Sequence, residues 1–192
     1  TPPAPAAASG AGGYAVAGKA ARPVDIPPSD NIEKTGSTTV TLTINDAPVV
    51  LTVDRAMAPC AANAFISLAE QGYYNDTSCH KLSTGDAKYL QCGDPSRPGN
   101  GRRGYAYPVE KEAKAGGSVG SGTLALVADS QHRLGSQFAL VYGDSKLSDS
   151  FLVIGSIDKD GAGSISDIAH KGLADDGLTP KVDTKIGSVV MG

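Results

Sequence analysis

The sequence predicts a mainly β domain, a barrel of short strands with helices over its ends, and three observations predict it. Thr39, Thr41 and Thr43 alternate with Val40, Leu42 and Ile44, and after the turn Asn45-Asp46-Ala47-Pro48 the alternation resumes at Val49, Leu51 and Val53. A two-residue period of this kind marks a hairpin with one buried face. Further short runs with strand character follow at 78–83, 88–93, 124–128, 138–141, 152–157 and 184–191, broken by glycines and polar turns. Only two stretches carry a helical signal, and many short strands with two short helices favour a β-barrel whose ends are capped by helices.

The first helical signal covers 59–71. Pro59 suits the first turn, and Ala62, Phe65, Ile66 and Ala69 recur at helical spacing before Gly72. The second is Ser164-Ile165-Ser166-Asp167, which reads as a capping box opening a short helix to about His170. Just upstream, Asp158-Lys159-Asp160-Gly161 hints at a calcium loop, but its twelfth position is Ala169 rather than glutamate, so a turn is expected. Gly99-x-Gly101-x-x-Gly104 matches a dinucleotide fingerprint in letters alone. It leads into Tyr105-Ala106-Tyr107-Pro108 and not into a helix whose N-terminus could hold phosphate, so an exposed loop is expected. Neither Gly-x-Ser-x-Gly nor His-Glu-x-x-His occurs, and hydrolase chemistry has no support.

The chain of 192 residues suits one domain with a short appendage. Residues 1–36 hold six of the twelve prolines, are rich in alanine and glycine, and show no apolar period. They read as a linker or tail, leaving 37–192 as the domain. The net charge of −3 gives no reason to expect nucleic acid or an anionic membrane as partner. No apolar run approaches the roughly 20 residues of a membrane helix. The chain begins at Thr1 rather than Met, so removal of an upstream segment is expected. Cys60, Cys79 and Cys92 allow one internal disulfide at most and leave one thiol over. Zinc is disfavoured, since no Cys-x-x-Cys occurs and adjacent Cys79 and His80 would point to opposite faces of a strand. Small buried thiols and a single disulfide both stay open; no metal and no cofactor are expected.

Several segments then occur in a telling order: Asp54-x-Ala56-x-Ala58-Pro59, Phe65-x-x-Leu68-Ala69, Gly72-Tyr73-Tyr74, Cys79-His80-Lys81, Gln91-x-Gly93-Asp94-Pro95, Gly99-Asn100-Gly101-Arg102-Arg103-Gly104-Tyr105, Gly135-Ser136-Gln137-Phe138, Leu147 and Ile154-Gly155. Each is weak alone, but in order and spacing they resemble the cyclophilin-type peptidyl-prolyl isomerases, across nearly all of the chain outside the lead-in. The resemblance implies a closed antiparallel eight-stranded β-barrel capped by two α-helices, acting on proline-containing peptides or protein segments. The three cysteines and the Pro/Ala-rich lead-in resemble an actinobacterial extracytoplasmic branch. That resemblance implies a secreted or membrane-anchored protein, with any anchor lying upstream of this chain.

Such a protein rotates an X-Pro bond over a barrier of ~18–20 kcal/mol without covalent chemistry. It must hold the proline ring on apolar walls, fix the flanking carbonyl, and hydrogen-bond the proline nitrogen as its resonance is lost. Because that last bond forms only in the transition state, it raises the rate rather than binding. The resemblance places Lys81 where the family has an arginine for this task. Lysine keeps the charge and loses the planar fork, so Lys81 reads either as a weaker donor or as a solvated lysine. Gln91 matches the glutamine that holds the carbonyl and orients the cation. His80 matches a family histidine, for which a structural hydrogen-bonding role is expected.

The walls of the proline pocket depart further. Ala139 replaces an aromatic, which removes the pocket floor. Lys88 stands at a second aromatic position when counted back from Gln91, with Tyr89 beside it as a possible substitute wall. The turn between Lys81 and Gln91 is two residues longer than in the commonest members, which leaves that register open. Ala128 falls where an asparagine often offers its backbone to substrate, Val127 is a further substrate-binding candidate, and Gln137 and Leu147 are kept. Phe151 replaces a histidine on the rim. The chain has no tryptophan, and Lys146 lies near the place of the one that grips cyclosporin, so cyclosporin binding is expected to be weak or absent.

Two functions are therefore expected to compete: a weak or impaired isomerase, and a catalytically inactive binding or scaffold module on the same barrel. A third expectation is self-interaction, with Pro23 and Pro27-Pro28 of the lead-in lying in the groove as a pseudo-substrate.

Overall fold

The computed structural model describes residues 15–17, 25, 27, 32–94, 104–108, 115–129 and 133–192; the loop residues 98–103 and prolines 23 and 28 singled out above lie outside them. In chain order its elements are β1 (Ala15–Ala17), β2 (Ser37–Ile44), β3 (Ala47–Asp54), α1 (Pro59–Glu70), β4 (Thr77–Ser78), β5 (Lys81–Thr84), β6 (Lys88–Cys92) and β7 (Gly104–Pro108). There follow β8 (Ala115–Val119), β9 (Thr123–Val127), β10 (Arg133–Leu134), β11 (Phe138–Val141), β12 (Ser145–Ile157), α2 (Lys159–His170) and β13 (Lys185–Met191).

The hairpin β2–β3 forms as its alternation predicts. Val40, Leu42, Ile44, Val49, Leu51 and Val53 are buried, and the turn is tighter than expected. Asn45 and Asp46 alone make it, both at positive φ, and Ala47 and Pro48 already belong to β3. A two-residue loop of that conformation matches the twist of its strands.

The main sheet runs β4-β13-β2-β3-β12-β9-β11-β6-β5, with β8 joined to β12, and its pairings are antiparallel. Its end strands β4 and β5 are neighbours in the chain, separated only by Cys79 and His80, so the sheet curls until its two edges meet. The bond from Cys79 N–H to Thr184 O (2.9 Å) extends the β4–β13 pairing, and that from Leu82 N–H of β5 to Leu178 O (2.7 Å) ties β5 to the segment before β13. Setting aside two-residue β4 and the appended β8, eight strands carry the curl, the antiparallel barrel expected from the sequence.

Helix α1 starts on Pro59 and ends at Glu70, with Gln71 as its C-cap and Gly72 at φ +69° turning the chain away. It buries Ala61, Ala62, Ala64, Phe65, Leu68 and Ala69. Helix α2 corrects the sequence reading, because it begins at Lys159, not near Ser164. Asp158 is its N-cap, accepting from Gly161 N–H (3.2 Å) and also from Val50 N–H of β3 (2.9 Å). The expected turn at 158–161 is thus the first turn of the helix. Gly161 and Gly163 hid it by lowering local propensity, which a capped and packed helix overrides.

Composition predicts only a linker before residue 37, yet its described residues touch the domain. Ala15–Ala17 pair antiparallel with 104–106 of β7. The Gln71 side chain accepts from Asp25 N–H (2.8 Å) and donates to Asp25 O (3.2 Å), Pro27 is buried, and Ile32 packs on the core. Backbone pairing needs no apolar period, so composition is blind to it.

Candidate active site

The strands of the curl's far wall are apolar on both faces, and the two faces do different things. In β6, β9, β11 and β12 the side chains Leu90, Cys92, Leu124, Leu126, Phe138, Leu140, Leu152 and Ile154 point into the barrel and join one large cluster. The alternate residues Tyr89, Ala125, Ala139, Val141 and Phe151 point outward and, with Leu147, make a second cluster of six buried residues. Burial on both sides explains why these segments read as continuous apolar runs and not as alternation.

Register decides which expected residues meet on the outer face. Lys81 pairs with Gln91 and Ser83 with Tyr89, so these four share one side of the β5–β6 hairpin. Gln91 is buried, and its Nε2 donates to Oε1 of Gln137 in a short hydrogen bond. That neighbour is held in turn. Gln137 O accepts from Val127 N–H (3.0 Å), and Ser136 O accepts from the buried Tyr74 hydroxyl (2.8 Å). Gly93, at φ +103°, lets the two chain segments approach, since a methyl group there would overlap the Ser136 carbonyl. The carboxamide of Gln91 is thereby fixed in direction before any ligand arrives.

Tyr89, and not Lys88, forms the aromatic wall. Its ring packs on Phe151 with centroids 5.0 Å apart and planes at 61°. The two rings cover Ala139, which is fully buried. Phe151, expected on the rim, is 9% exposed and packs into this cluster. Position 139 itself contributes only a methyl group, the aromatic surface here comes from positions 89 and 151, and Leu147 and Val127 complete the platform. Lys88 is exposed, its stem lying against Gly143. Ala128 turns inward against the main core, and its N–H is committed to Ser150 O (2.7 Å).

The cation of Lys81 stands 5.8 Å from the centre of the Tyr89 ring, at the boundary between the platform and Gln91. On the other side of Lys81 lies a cavity of about 670 Å³, whose lining includes Cys79, His80, Lys81, Gln91, Gln137 and Leu178. A second cavity of about 590 Å³ adjoins the platform through Val119, with Asp86, Asp144 and Lys146 among its lining residues. His80 lies between β4 and β5. Burial pushes its imidazole below the usual histidine range, while the Asp94 carboxylate pulls the other way.

The cysteine alternatives resolve into one disulfide, Cys79–Cys92, with Cys60 left as a half-buried thiol. Sequence reading missed two floor residues, Ala125 and Val141. A period of two counted from Ala139 along β11, and carried to β9 by its pairing, reaches both. An apolar platform, a fixed carboxamide and a cation at its edge together form a surface able to hold a proline ring and a carbonyl.

The description of cyclophilin type peptidyl-prolyl cis-trans isomerases matches residues 39–190. The chain is 35% identical over 173 residues to a probable peptidyl-prolyl cis-trans isomerase B of Mycobacterium leprae, covering 84% of this chain and 59% of that protein. It is 33% identical over 180 residues to a protein described in the same words from Mycobacterium tuberculosis, covering 88% and 58%. The chain thus spans about three-fifths of the length of these relatives. In fold it resembles a cyclophilin type peptidyl-prolyl cis-trans isomerase of Cryptosporidium parvum, with a TM-score of 0.67 at 22% identity over 82% of this chain and 98% of that one. The structure of that protein in the presence of the dipeptide Ala-Pro gives a TM-score of 0.64. By its barrel, its motif order and these matches, the chain belongs to the cyclophilin-type peptidyl-prolyl cis-trans isomerase family.

Proposed function

We propose that this protein is a slow prolyl isomerase acting on X-Pro bonds of extracytoplasmic proteins. The observation that carries the reading is the outward cluster around Ala139, where Tyr89 and Phe151 supply aromatic surface beside the Gln137-bound Gln91. The proline ring lies on that platform, Gln91 donates to the carbonyl, and Lys81 donates to the proline nitrogen as the bond twists. A lysine offers one bond where a guanidinium offers two. At about 1.5–3 kcal/mol for a charged hydrogen bond, the rate sits roughly ten- to a hundredfold below that of an arginine-bearing site.

The disulfide supports an extracytoplasmic setting, because such bonds persist in oxidising compartments. We also propose that cyclosporin binds weakly, since exposed Lys146 offers no apolar ring. The test is isomerisation of a proline tetrapeptide with protein at stoichiometric concentration. A rate above buffer that disappears in Gln91→Ala is expected, and a rate equal to buffer sinks the isomerase reading.

A second reading, a binding module without turnover, has one observation in its favour. Tyr89, Ala139 and Phe151 are between 0% and 9% exposed, so the platform is shallow and a proline ring gains less burial on it than in an open pocket. Peptide affinity without catalysis in the same assay would select this reading. Self-interaction of the lead-in with the groove is not needed by either, since at its described residues the lead-in pairs with β7 and meets Gln71.

A further inference from the structure

The disulfide closes the 13-residue span that carries Lys81, Tyr89 and Gln91. Within that span the hairpin ladder runs from Thr84↔Lys88 beside the turn to Lys81↔Gln91, its last pair. Cys79 and Cys92 lie just past that pair, at the open end of the hairpin. Both belong to the inward cluster, 2% and 0% exposed, while Lys81 and Gln91 face outward. The sulphur bridge is therefore a bolt on the inner side of the strands whose outer side holds the candidate pair.

Strand β5 needs such a bolt. Among the described strands it ends the sheet order and pairs only with β6, and its one other described backbone bond runs from Leu82 N–H to Leu178 O in the segment between α2 and β13. The final pair of an edge ladder opens more readily than pairs within a sheet. Opening at Lys81↔Gln91 would move the lysine donor relative to the carboxamide. Displacements of the order of 1 Å at a reacting centre can cost about a hundredfold in rate.

We propose that Cys79–Cys92 is the positioning element of the site: it holds Lys81 in register with Gln91, so that the oxidised protein turns over and the reduced protein binds peptide but turns over slowly. The proposal rests on the isomerase reading for its kinetic arm. Reduction by a small dithiol opens the bridge by thiolate attack on one sulphur, giving two cysteine thiols and the cyclic disulfide of the reductant. The platform of Tyr89, Ala139, Leu147 and Phe151 contains neither sulphur and keeps its packing.

The test uses the full chain with Cys60→Ser, which removes the third thiol from exchange. Oxidised protein, dithiol-reduced protein and the Cys79→Ala/Cys92→Ala variant are compared in tetrapeptide isomerisation and by circular dichroism. The expected result is a fall in kcat of about tenfold or more, with KM within about twofold, unchanged dichroism, and recovery of the reduced sample on reoxidation. Equal kcat in all three forms overturns the proposal. So does loss of the folded dichroism on reduction and in the variant, which would make the bridge a staple of the fold and no more. If the oxidised protein itself has no turnover, the isomerase reading falls separately. The positioning claim is then decided by the side-chain amide resonances of Gln91 and Gln137. Sharp, dispersed signals that broaden or shift on reduction uphold it, and signals indifferent to reduction overturn it.

Discussion

The inward and outward faces of β6, β9, β11 and β12 share one backbone and obey different rules. Inside, Phe138 sits among Phe65 and Tyr74 with ring centroids 5.4 and 5.1 Å away, in a cluster drawn from both helices and from most strands of the curl. Outside, Ala139 sits with Tyr89 and Phe151 in a much smaller cluster of six buried residues. The inward face is answerable to packing from every side, so its residues are fixed by volume. The outward face must be buried enough to stay ordered and open enough to take a ligand. Its aromatic surface can consequently be supplied from different chain positions, provided the rings end in the same place.

The largest effect expected is on the inside. Phe138→Ala deletes the ring that two other rings pack against, and a cost of about 3–5 kcal/mol is expected in urea unfolding. Phe151→Ala removes a ring of the same size two strands away and should cost visibly less, because Phe151 is the more exposed of the two. Equal costs would abolish the distinction between the faces.

Next comes the edge of the outer platform. Lys81→Arg restores a planar fork opposite Gln91, and a rise in kcat/KM of roughly tenfold or more is expected, with unfolding free energy unchanged within ~0.5 kcal/mol. An unchanged rate would mean that the 5.8 Å stance of Lys81 over Tyr89 leaves it outside the reacting geometry.

The shared cluster of Ala139, Tyr89 and Phe151 predicts a coupling. Ala139→Phe alone forces a ring into space held by Tyr89 and Phe151, at a cost of about 1–3 kcal/mol. Adding Phe151→Ala should return part of that cost, giving an interaction energy of about 0.5–3 kcal/mol in a double-mutant cycle. Strict additivity would show that Phe151 does not occupy the space Ala139 leaves.

The difference between the faces also explains what the sequence could reveal. The hairpin β2–β3, helix α1 and the apolar runs were readable because burial of a face imposes a period, and period is local. The sequence names Lys81, Gln91, Tyr89, Gln137, Ala139, Leu147 and Phe151 one by one as candidates, each from its own motif. Their meeting was not readable, because Ala139 and Phe151 look like two separate losses until the register between β6, β11, β9 and β12 brings their side chains over one another. The ladder Lys81↔Gln91 settles the register that the long turn left open, and with it the choice of Tyr89 over Lys88. Neither the strand Ala15–Ala17 nor the cap at Asp158 has an apolar period. Backbone pairing makes the first, and one carboxylate serving two N–H groups makes the second.

The smallest effect tests a residue lying between the two faces. His80 separates Cys79, which faces the core, from Lys81, which faces the platform. Burial is the main influence on its imidazole and holds it below the ordinary range, with Lys81 acting in the same direction and buried Asp94 opposing. A histidine whose folded pKa lies below its unfolded value of about 6.5 binds fewer protons when folded. Its contribution to stability is therefore complete above that pH and is lost as pH falls from about 6.5 toward the folded value. Because the side chain is only half-buried, solvent screening keeps the effect small, about 1–2 °C in Tm between pH 7.5 and 5.5. His80→Gln should lack this increment of the decline while leaving the remaining pH dependence in place. Parallel Tm curves for the two proteins would place His80 with the solvated residues of the outer face, and its burial beside the disulfide would then have no energetic consequence.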